Sequence, residues 1–409
     1  MSAAAPPTPP AHGPSHGPAR GPSGGRRPLD GIRVLELGQL VAGPFAATIL
    51  AYFGADVVKV EPPGGDPIRG WRGLDADGTS LWWRSLGRNK RSIVLDLRTP
   101  EGRHTARELA LACDVVIENF RPGTLAAWGL GADELRRAKP SLVVASASGY
   151  GQDGPDAHKP GFAAVCEAAG GLRYVTGHPG EVPVRSNLSL GDTLAAFHVV
   201  MGVLLALLHR ERTPGRPGQA VDVSILESVV AVLESALPEC DRLGVVRQPS
   251  GTTITGVVPT NAYACSDGRH VVIGGNGDSI FQRLMEAVGR PDLAHAAHLA
   301  TNAQRVPHAA EIDAAIGAWA ATRTAAQALE AMERAQVPAS AIRSAADLLA
   351  DPHLAARGAI ERVPVGGRPL ALPAIPPHLS ATPGRTEHAG PELGADTASV
   401  LRDWLGRAP

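Results

Sequence analysis

Three side chains near the middle of the sequence invite a chemical reading. Asp192 lies in SNLSLGDTLAAFHVVMGVLLALLHR (186–210), an acid directly before a long apolar run. At a helix start a carboxylate meets free backbone N–H groups and the positive end of the helix dipole, and both keep it ionised. Such a group is either a helix cap or a carboxylate available for nucleophilic chemistry. Arg173 (GGLRYVTG) and Arg185 (VPVRSNLS) approach it in sequence. Either guanidinium can fork onto a substrate carboxylate, or sit in a surface or interface ion pair.

A second candidate is a dinucleotide site. The stretch GIRVLELGQLVAGPFAATILAYFGADVVKVE has the shape of a βαβ unit ending in the acid Glu61. Its turn reads GQLVAG, without the glycine spacing that lets a backbone close on a pyrophosphate. A nicotinamide or flavin site is therefore not expected.

The 409 residues allow two or three domains with ample core. A formal net charge of -1 and 4% aromatics argue against nucleic acid and anionic membranes as partners. Cys113, Cys166, Cys240 and Cys265 form no CxxC and no zinc spacing, so no metal site is expected and the thiols read as reduced. The Pro- and Gly-rich start, residues 1–28, lacks a signal-peptide h-region and is expected to be disordered. The apolar run Thr193 to Leu208 falls short of the ~20 residues of a membrane span. It predicts a helix buried on all sides. A soluble, cytoplasmic protein is expected.

The elements that position these residues alternate between strand and helix. Strands are expected at 31–37, 56–61, 92–97, 115–119 and 142–151, short runs rich in β-branched residues. Between them lie helices at 42–55, with Pro44 in the first turn and Gly54 past the end, and at 99–114, with Thr99 as cap, and a short one at 122–130. This is an α/β pattern: a Rossmann-like, doubly wound parallel sheet in a large domain over 29–211. RTPGRPGQ (212–219) reads as a linker. A smaller α+β domain follows over 220–336, with a strand at 220–225, a helix at 226–237, a hairpin at 261–275 and helices at 278–288, 309–321 and 324–335. The C-terminal segment 337–409 is Pro- and Gly-rich and ends in a helix at 396–405.

Seven segments, in order, resemble one family. They are AGPFAATILAYFGADVVKVEPPGGDPIR, NKRSIVLDLRTPEGR, DVVIENFRPG, SASGYGQDGPDAHKPGF, SLGD, TPGRPGQAVDVSILES and DPHLAARG. Together they are similar to the class III coenzyme A transferases, over roughly residues 28–405. The resemblance implies an interlocked homodimer, CoA bound as a substrate on the large domain, and no permanent cofactor. It makes Asp192 the nucleophile, passing through a mixed anhydride and an aspartyl-CoA thioester. It also implies CoA contacts from Leu40, Val41 and Ala42 in the first strand-to-helix turn, from Leu95 and Arg98, and from Asn119 and Phe120. Arg98 replaces a Lys at its position and retains the charge to meet a phosphate. Each of these has a plainer reading as core, turn residue or surface charge.

The sequence also departs from the family pattern. Val41 stands where formyl-CoA transferase carries Gln, Pro62 and Ala127 stand where it carries CoA-binding Arg residues, and Ala163 stands where many members have an acid. TTITGVV (252–258) keeps only Gly256 of a glycine-rich loop. These differences argue against formyl-CoA and oxalate as substrates. Related 2-methylacyl-CoA racemases use a His and an Asp across the α-carbon. Here Phe162 matches the His position and cannot shuttle a proton. Transfer of CoA from an acyl-CoA to a free carboxylic acid is the expected activity, with a succinyl donor suggested by the two arginines. A racemase and a CoA-binding paralogue without turnover are the alternatives.

Overall fold

A computed structural model describes residues 25–407. Most of the expected disordered tail, residues 1–24, lies outside the described residues. The chain divides into two compact units. The first comprises the residues up to Gly161, Asp192–Ile225 and Leu349–Pro409; the second comprises Phe162–Gly191 and Leu226–Leu348.

The first unit is built on six parallel strands. In chain order its elements are β1 (Arg33–Glu36), α1 (Ala42–Tyr52), β2 (Asp56–Glu61), α2 (Leu81–Leu86), β3 (Lys90–Val94), α3 (Pro100–Ala112), β4 (Val115–Glu118), α4 (Thr124–Ala127), α5 (Ala132–Ala138) and β5 (Val143–Ser148). After α6 (Ala163–Ala169), which belongs to the second unit, α7 (Leu190–Arg212) and β6 (Ala220–Ser224) complete the sheet. The strand order is β3-β2-β1-β4-β5-β6, and every neighbouring pair is parallel. This is the order of doubly wound nucleotide-binding sheets, with the chain reversing direction across the sheet between β1 and β4. Val34, Val58, Ile93, Val116 and Val143 are buried, as expected of strands covered on both faces. Thr99 caps α3 by accepting the N–H of Gly102 at 3.1 Å.

The sequence expectation places 29–211 in one large domain, but Phe162–Gly191 belong to the second unit, and short helices such as α2, α5 and α6 were not expected; the structure departs from it further at four places. The strand at 220–224, expected to open the small domain, is instead the sixth strand of the large sheet. The helix expected at 226–237 is broken into α8 (Ile225–Val230) and α9 (Ala236–Leu243), with Glu234 at a positive φ of 51° between them. The C-terminal segment carries an antiparallel hairpin, β10 (Ile360–Val365) and β11 (Arg368–Pro373), turning at Gly366–Gly367. Finally, α7 is not buried all round. Ala195, Ala196, Val199, Val203 and Ala206 are buried, and Gly202 lies tight against Val221 of β6. Phe197, Met201, Leu204, Leu205 and Leu208 are exposed, at the spacing of a single helical face. By length and composition α7 is the one helix among the described residues that is able to cross a membrane.

The second unit holds a three-stranded antiparallel sheet, β7 (Thr260–Ala264), β8 (His270–Gly274) and β9 (Ala339–Ala341). Its core packs Val271, Ile273, Phe281, Leu284, Ile312, Ile316 and Met332 together with the helices Asp278–Ala287, Ala309–Ala321 and Ala325–Arg334.

Candidate active site

In a doubly wound sheet the loops leaving the carboxyl ends of the strands form the crevice that takes a ligand. Here the loops after β1, β2, β3 and β4 enclose a cavity of about 370 Å³. Its walls are Leu37 and Gln39, Val60 and Pro62–Gly64, Leu95–Arg98, and Phe120 with Trp128. The rings of Phe120 and Trp128 meet edge-on, with centroids 5.4 Å apart. The cavity has largely apolar walls, a pair of aromatic rings, the Gln39 amide, and one guanidinium, Arg98, beside one carboxylate, Asp96. That lining suits a planar heterocycle carrying phosphates.

Three of the expected binding residues, Leu95, Arg98 and Phe120, line this cavity. Arg98 is 77% exposed and already forks onto Asp96, with both bonds at 2.8 Å. That guanidinium holds the Asp96 carboxyl down to about 2. Leu40, Val41, Ala42 and Asn119 do not line the cavity; the first three form the turn beside it, and Asn119 holds that turn from the end of β4. The Val41 and Ala42 side chains are buried, Val41 among Ile68, Trp83 and Leu86, so only their backbone is left to meet a ligand. Asn119 is a clamp. Its Oδ1 accepts the Gln39 N–H at 2.8 Å and its Nδ2 donates to the Gln39 carbonyl at 2.8 Å. A Cβ on Gly38 would come within 2.6 Å of that Oδ1, so the clamp requires glycine there.

Leu40 sits at φ 65°, a conformation costly for a side chain of this kind. Its N–H donates to the Asp66 carboxylate at 3.1 and 3.2 Å. Asp66 belongs to a buried ionic network. Lys59 Nζ lies 2.9 Å from Asp66, 2.6 Å from Glu36, and donates to the Gly38 carbonyl at 2.8 Å. Lys90 Nζ lies 2.7 Å from Glu36 and donates to the Pro44 carbonyl at 2.7 Å. Arg69 forks onto Glu61 at 2.7 Å on both arms, and Glu61 accepts the Asp66 N–H at 3.0 Å. Burial alone would lower the Lys59 ammonium, but Glu36 and Asp66 outweigh it and hold its pKa above the usual value. Burial dominates at Lys90, which is pushed down to about 8. Of these charges only Glu61 was singled out from the sequence, as the acid closing a βαβ unit; a Lys inside DVVKVE gives no sign of being buried.

Glu118, at the end of β4, is a further buried acid. Its Oε2 accepts the Phe120 N–H at 2.8 Å. Burial raises it to about 7, against the lowering pull of hydrogen bonds from Ser146 and Phe120.

Asp192 is part-buried in the first turn of α7. The helix begins two residues earlier, at Leu190, so Asp192 follows the cap position rather than occupying it. At that third helical position a carboxylate meets the free N–H groups of the first turn and the positive end of the dipole, and both favour its ionised form. In the second unit, Arg185 is paired with Glu167 at 3.4 Å, and Glu167 accepts the N–H of Gly191 at 3.0 Å. Arg185 therefore already faces a protein carboxylate. Phe162 is 63% exposed. His298, His308 and Glu311, also in this unit, bring potential metal-donor atoms within 4.8 Å of one another, with two of the three exposed.

Pro63, Gly64 and Trp128 were missed from the sequence; the rule that ligands sit at strand carboxyl ends, applied to the loop after β2, would have found the first two.

Comparison with known proteins adds the following. The sequence profile described as CoA-transferase family III matches residues 29–397. The chain is 46% identical over 383 residues to the succinyl-CoA–D-citramalate CoA-transferase of Chloroflexus aurantiacus, covering 93% of this chain and 94% of that one. It is 36% identical to the succinate–glutarate CoA-transferase of Agrobacterium fabrum, covering 92% and 95%. Among solved structures, a CAIB/BAIF family protein from Brucella suis superimposes with a TM-score of 0.82 at 30% identity, covering 93% and 100%.

Proposed function

Because this chain belongs to CoA-transferase family III, and is therefore a CoA-transferase, we propose that it moves CoA from succinyl-CoA to a short dicarboxylic acid through covalent intermediates on Asp192. The observation that carries the substrate class is the 46% identity, across 93% of the chain, to an enzyme named for succinyl-CoA and D-citramalate. Relatives named for L-malate and glutarate, at 39% and 36% identity, also pair a succinyl group with a dicarboxylic acid.

In this reading the ionised Asp192 carboxylate attacks the thioester carbonyl of succinyl-CoA and expels CoA thiolate, leaving a succinyl–aspartyl anhydride. The thiolate attacks the aspartyl carbonyl, releasing succinate and forming an aspartyl-CoA thioester. The acceptor carboxylate attacks that thioester and again frees the thiolate. The thiolate then attacks the acceptor acyl carbon, giving the new acyl-CoA and regenerating Asp192. The adenine nucleotide of CoA occupies the cavity between Pro62–Gly64, Leu95–Arg98 and Phe120, with the turn at Leu40, Val41 and Ala42 against its chain. The apolar lining, the aromatic pair and Arg98 at the rim support that placement. Position 162, a Phe, offers no proton shuttle and supports transfer over racemisation.

The protein acts as a cytoplasmic homodimer in this proposal. The exposed apolar stripe of α7 supports it, since a soluble chain rarely leaves a face of that size uncovered. The test is to incubate the enzyme with succinyl-CoA, trap with hydroxylamine or borohydride, and examine peptides by mass spectrometry. A product on the Asp192 peptide, absent from Asp192→Ala and Asp192→Asn, is expected. Turnover without any such product would overturn the covalent route.

A further inference from the structure

The turn between β1 and α1 is held from two sides. Asn119 grips Gln39, and Asp66 takes the N–H of Leu40, the next residue, with both carboxylate oxygens. Leu40 is the strained position, at φ 65°. Asp66 is 1% exposed and is anchored beneath by Lys59, whose ammonium also holds the Gly38 carbonyl. Glu36 and Lys90 extend the same chain of charges to the Pro44 carbonyl in the first turn of α1. Three carbonyl or amide groups of one short segment, at Gly38, Leu40 and Pro44, are thus fixed by buried charged side chains. A buried ion pair contributes little net stability compared with apolar packing of the same volume. The arrangement fits a different use, which is holding a backbone geometry that the chain would not otherwise keep.

We propose that Asp66, anchored by Lys59, is a positioning residue that holds Leu40 in its left-handed conformation and so keeps the Gly38–Ala42 turn preformed for CoA. The proposal rests on the reading that CoA lies against this turn. Asp66 does not touch the reacting atoms. Its effect is on CoA affinity and not on the acceptor acid.

The test uses the full-length enzyme and CoA itself. The variants are Asp66→Ala, the charge-balanced pair Lys59→Met with Asp66→Ala, and Leu40→Gly, alone and combined with each. The pair removes one buried charge of each sign, so the test survives if Asp66→Ala alone fails to fold. Affinity is read by calorimetry, and turn order by hydrogen–deuterium exchange of the peptide covering Gly38–Ala42. In the Leu40 background, loss of Asp66 is expected to weaken CoA about tenfold and speed exchange of the turn, with the acceptor KM unchanged. In the Leu40→Gly background, where φ 65° carries no strain, the same loss is expected to cost less than about threefold. Equal losses in both backgrounds, or none in either, overturn the positioning role. If CoA leaves exchange of the turn unchanged in the wild type, the placement of CoA on the turn is itself overturned, and the proposal falls with it.

Discussion

The side-chain amide of Asn119 pairs with both faces of a single peptide residue, accepting the Gln39 N–H and donating to the Gln39 carbonyl, each at 2.8 Å. It thereby ties the end of β4 to the loop leaving β1, the two strands at which the chain reverses direction across the sheet. Asn119→Ala removes both bonds and leaves a part-buried peptide unpaired. The expected result is a loss of about 1–2 kcal/mol in stability and roughly tenfold weaker CoA binding, with little change in the acceptor KM. Thermal melts and calorimetric titration check the two halves separately.

Asp192 leads to a sharper separation. Asp192→Asn keeps shape and polarity but removes the nucleophile. Turnover is expected to fall by orders of magnitude. Stability is expected to change far less than turnover, with the helix-dipole share of the change at about 0.3–1 kcal/mol. CoA affinity is expected to hold. Residual turnover close to wild type in Asp192→Asn would remove the residue from the reaction.

What could be read from the sequence follows from what each element must satisfy locally. Strands such as DVVKVE and VVIE are covered on both faces, so they appear as β-branched runs. Thr99 announces the start of α3 because capping is a property of adjacent residues. The hairpin Ile360–Pro373 was hidden because its strands carry prolines and are joined by a glycine pair, which read as loop. The buried network was hidden for a different reason. Glu36, Lys59, Asp66 and Lys90 are far apart in sequence and meet only once three strands are paired. On α7, an apolar face inside one chain and an apolar face awaiting another chain have the same composition. The helix was therefore legible in advance, and which of its sides was covered was not. Asp192 stood out as an acid before an apolar run, but its assignment as the nucleophile, and the loops carrying Leu95, Arg98, Asn119 and Phe120, came only through a resemblance, since no spacing rule marks them.

Glu118 gives a pH prediction with a definite sign. Burial raises it from an ordinary 4.5 to about 7 in the folded protein. Between those values the folded state holds a proton that the unfolded state has lost, so stability falls as pH rises from about 4.5 to about 7 and is then flat. The slope approaches about 1.4 kcal/mol per pH unit in the middle of the window. Glu118→Gln is expected to flatten this contribution. Denaturant melts of both proteins across the window measure it, and parallel curves would show that Glu118 is not the group responsible.

Arg98 is the cation at the rim of the cavity and is paired with Asp96. If it meets a phosphate of CoA, it must exchange one anion for another. Arg98→Ala is then expected to weaken CoA several-fold while leaving the affinity for pantetheine, which lacks the nucleotide, unchanged. The loss is expected to shrink as salt is raised, because an exposed contact is screened. An equal effect on CoA and pantetheine would assign Arg98 to the fold and not to the nucleotide.

The last prediction concerns the uncovered side of α7. Phe197, Met201, Leu204, Leu205 and Leu208 are between 42% and 57% exposed, while Val199, Val203 and Ala206 on the other side are fully buried. A second copy of the chain covers that stripe in the proposed homodimer. Met201→Asp with Leu205→Asp places two charges in its centre without touching the buried side, so the subunit fold is expected to persist. Sedimentation is expected to give a dimer for the wild type and a monomer for the variant. A lipid surface is the competing occupant for so apolar a helix, and vesicle co-sedimentation distinguishes the two. A monomeric wild type that pellets with vesicles, and a variant that does not, would reassign the stripe from a partner subunit to a membrane.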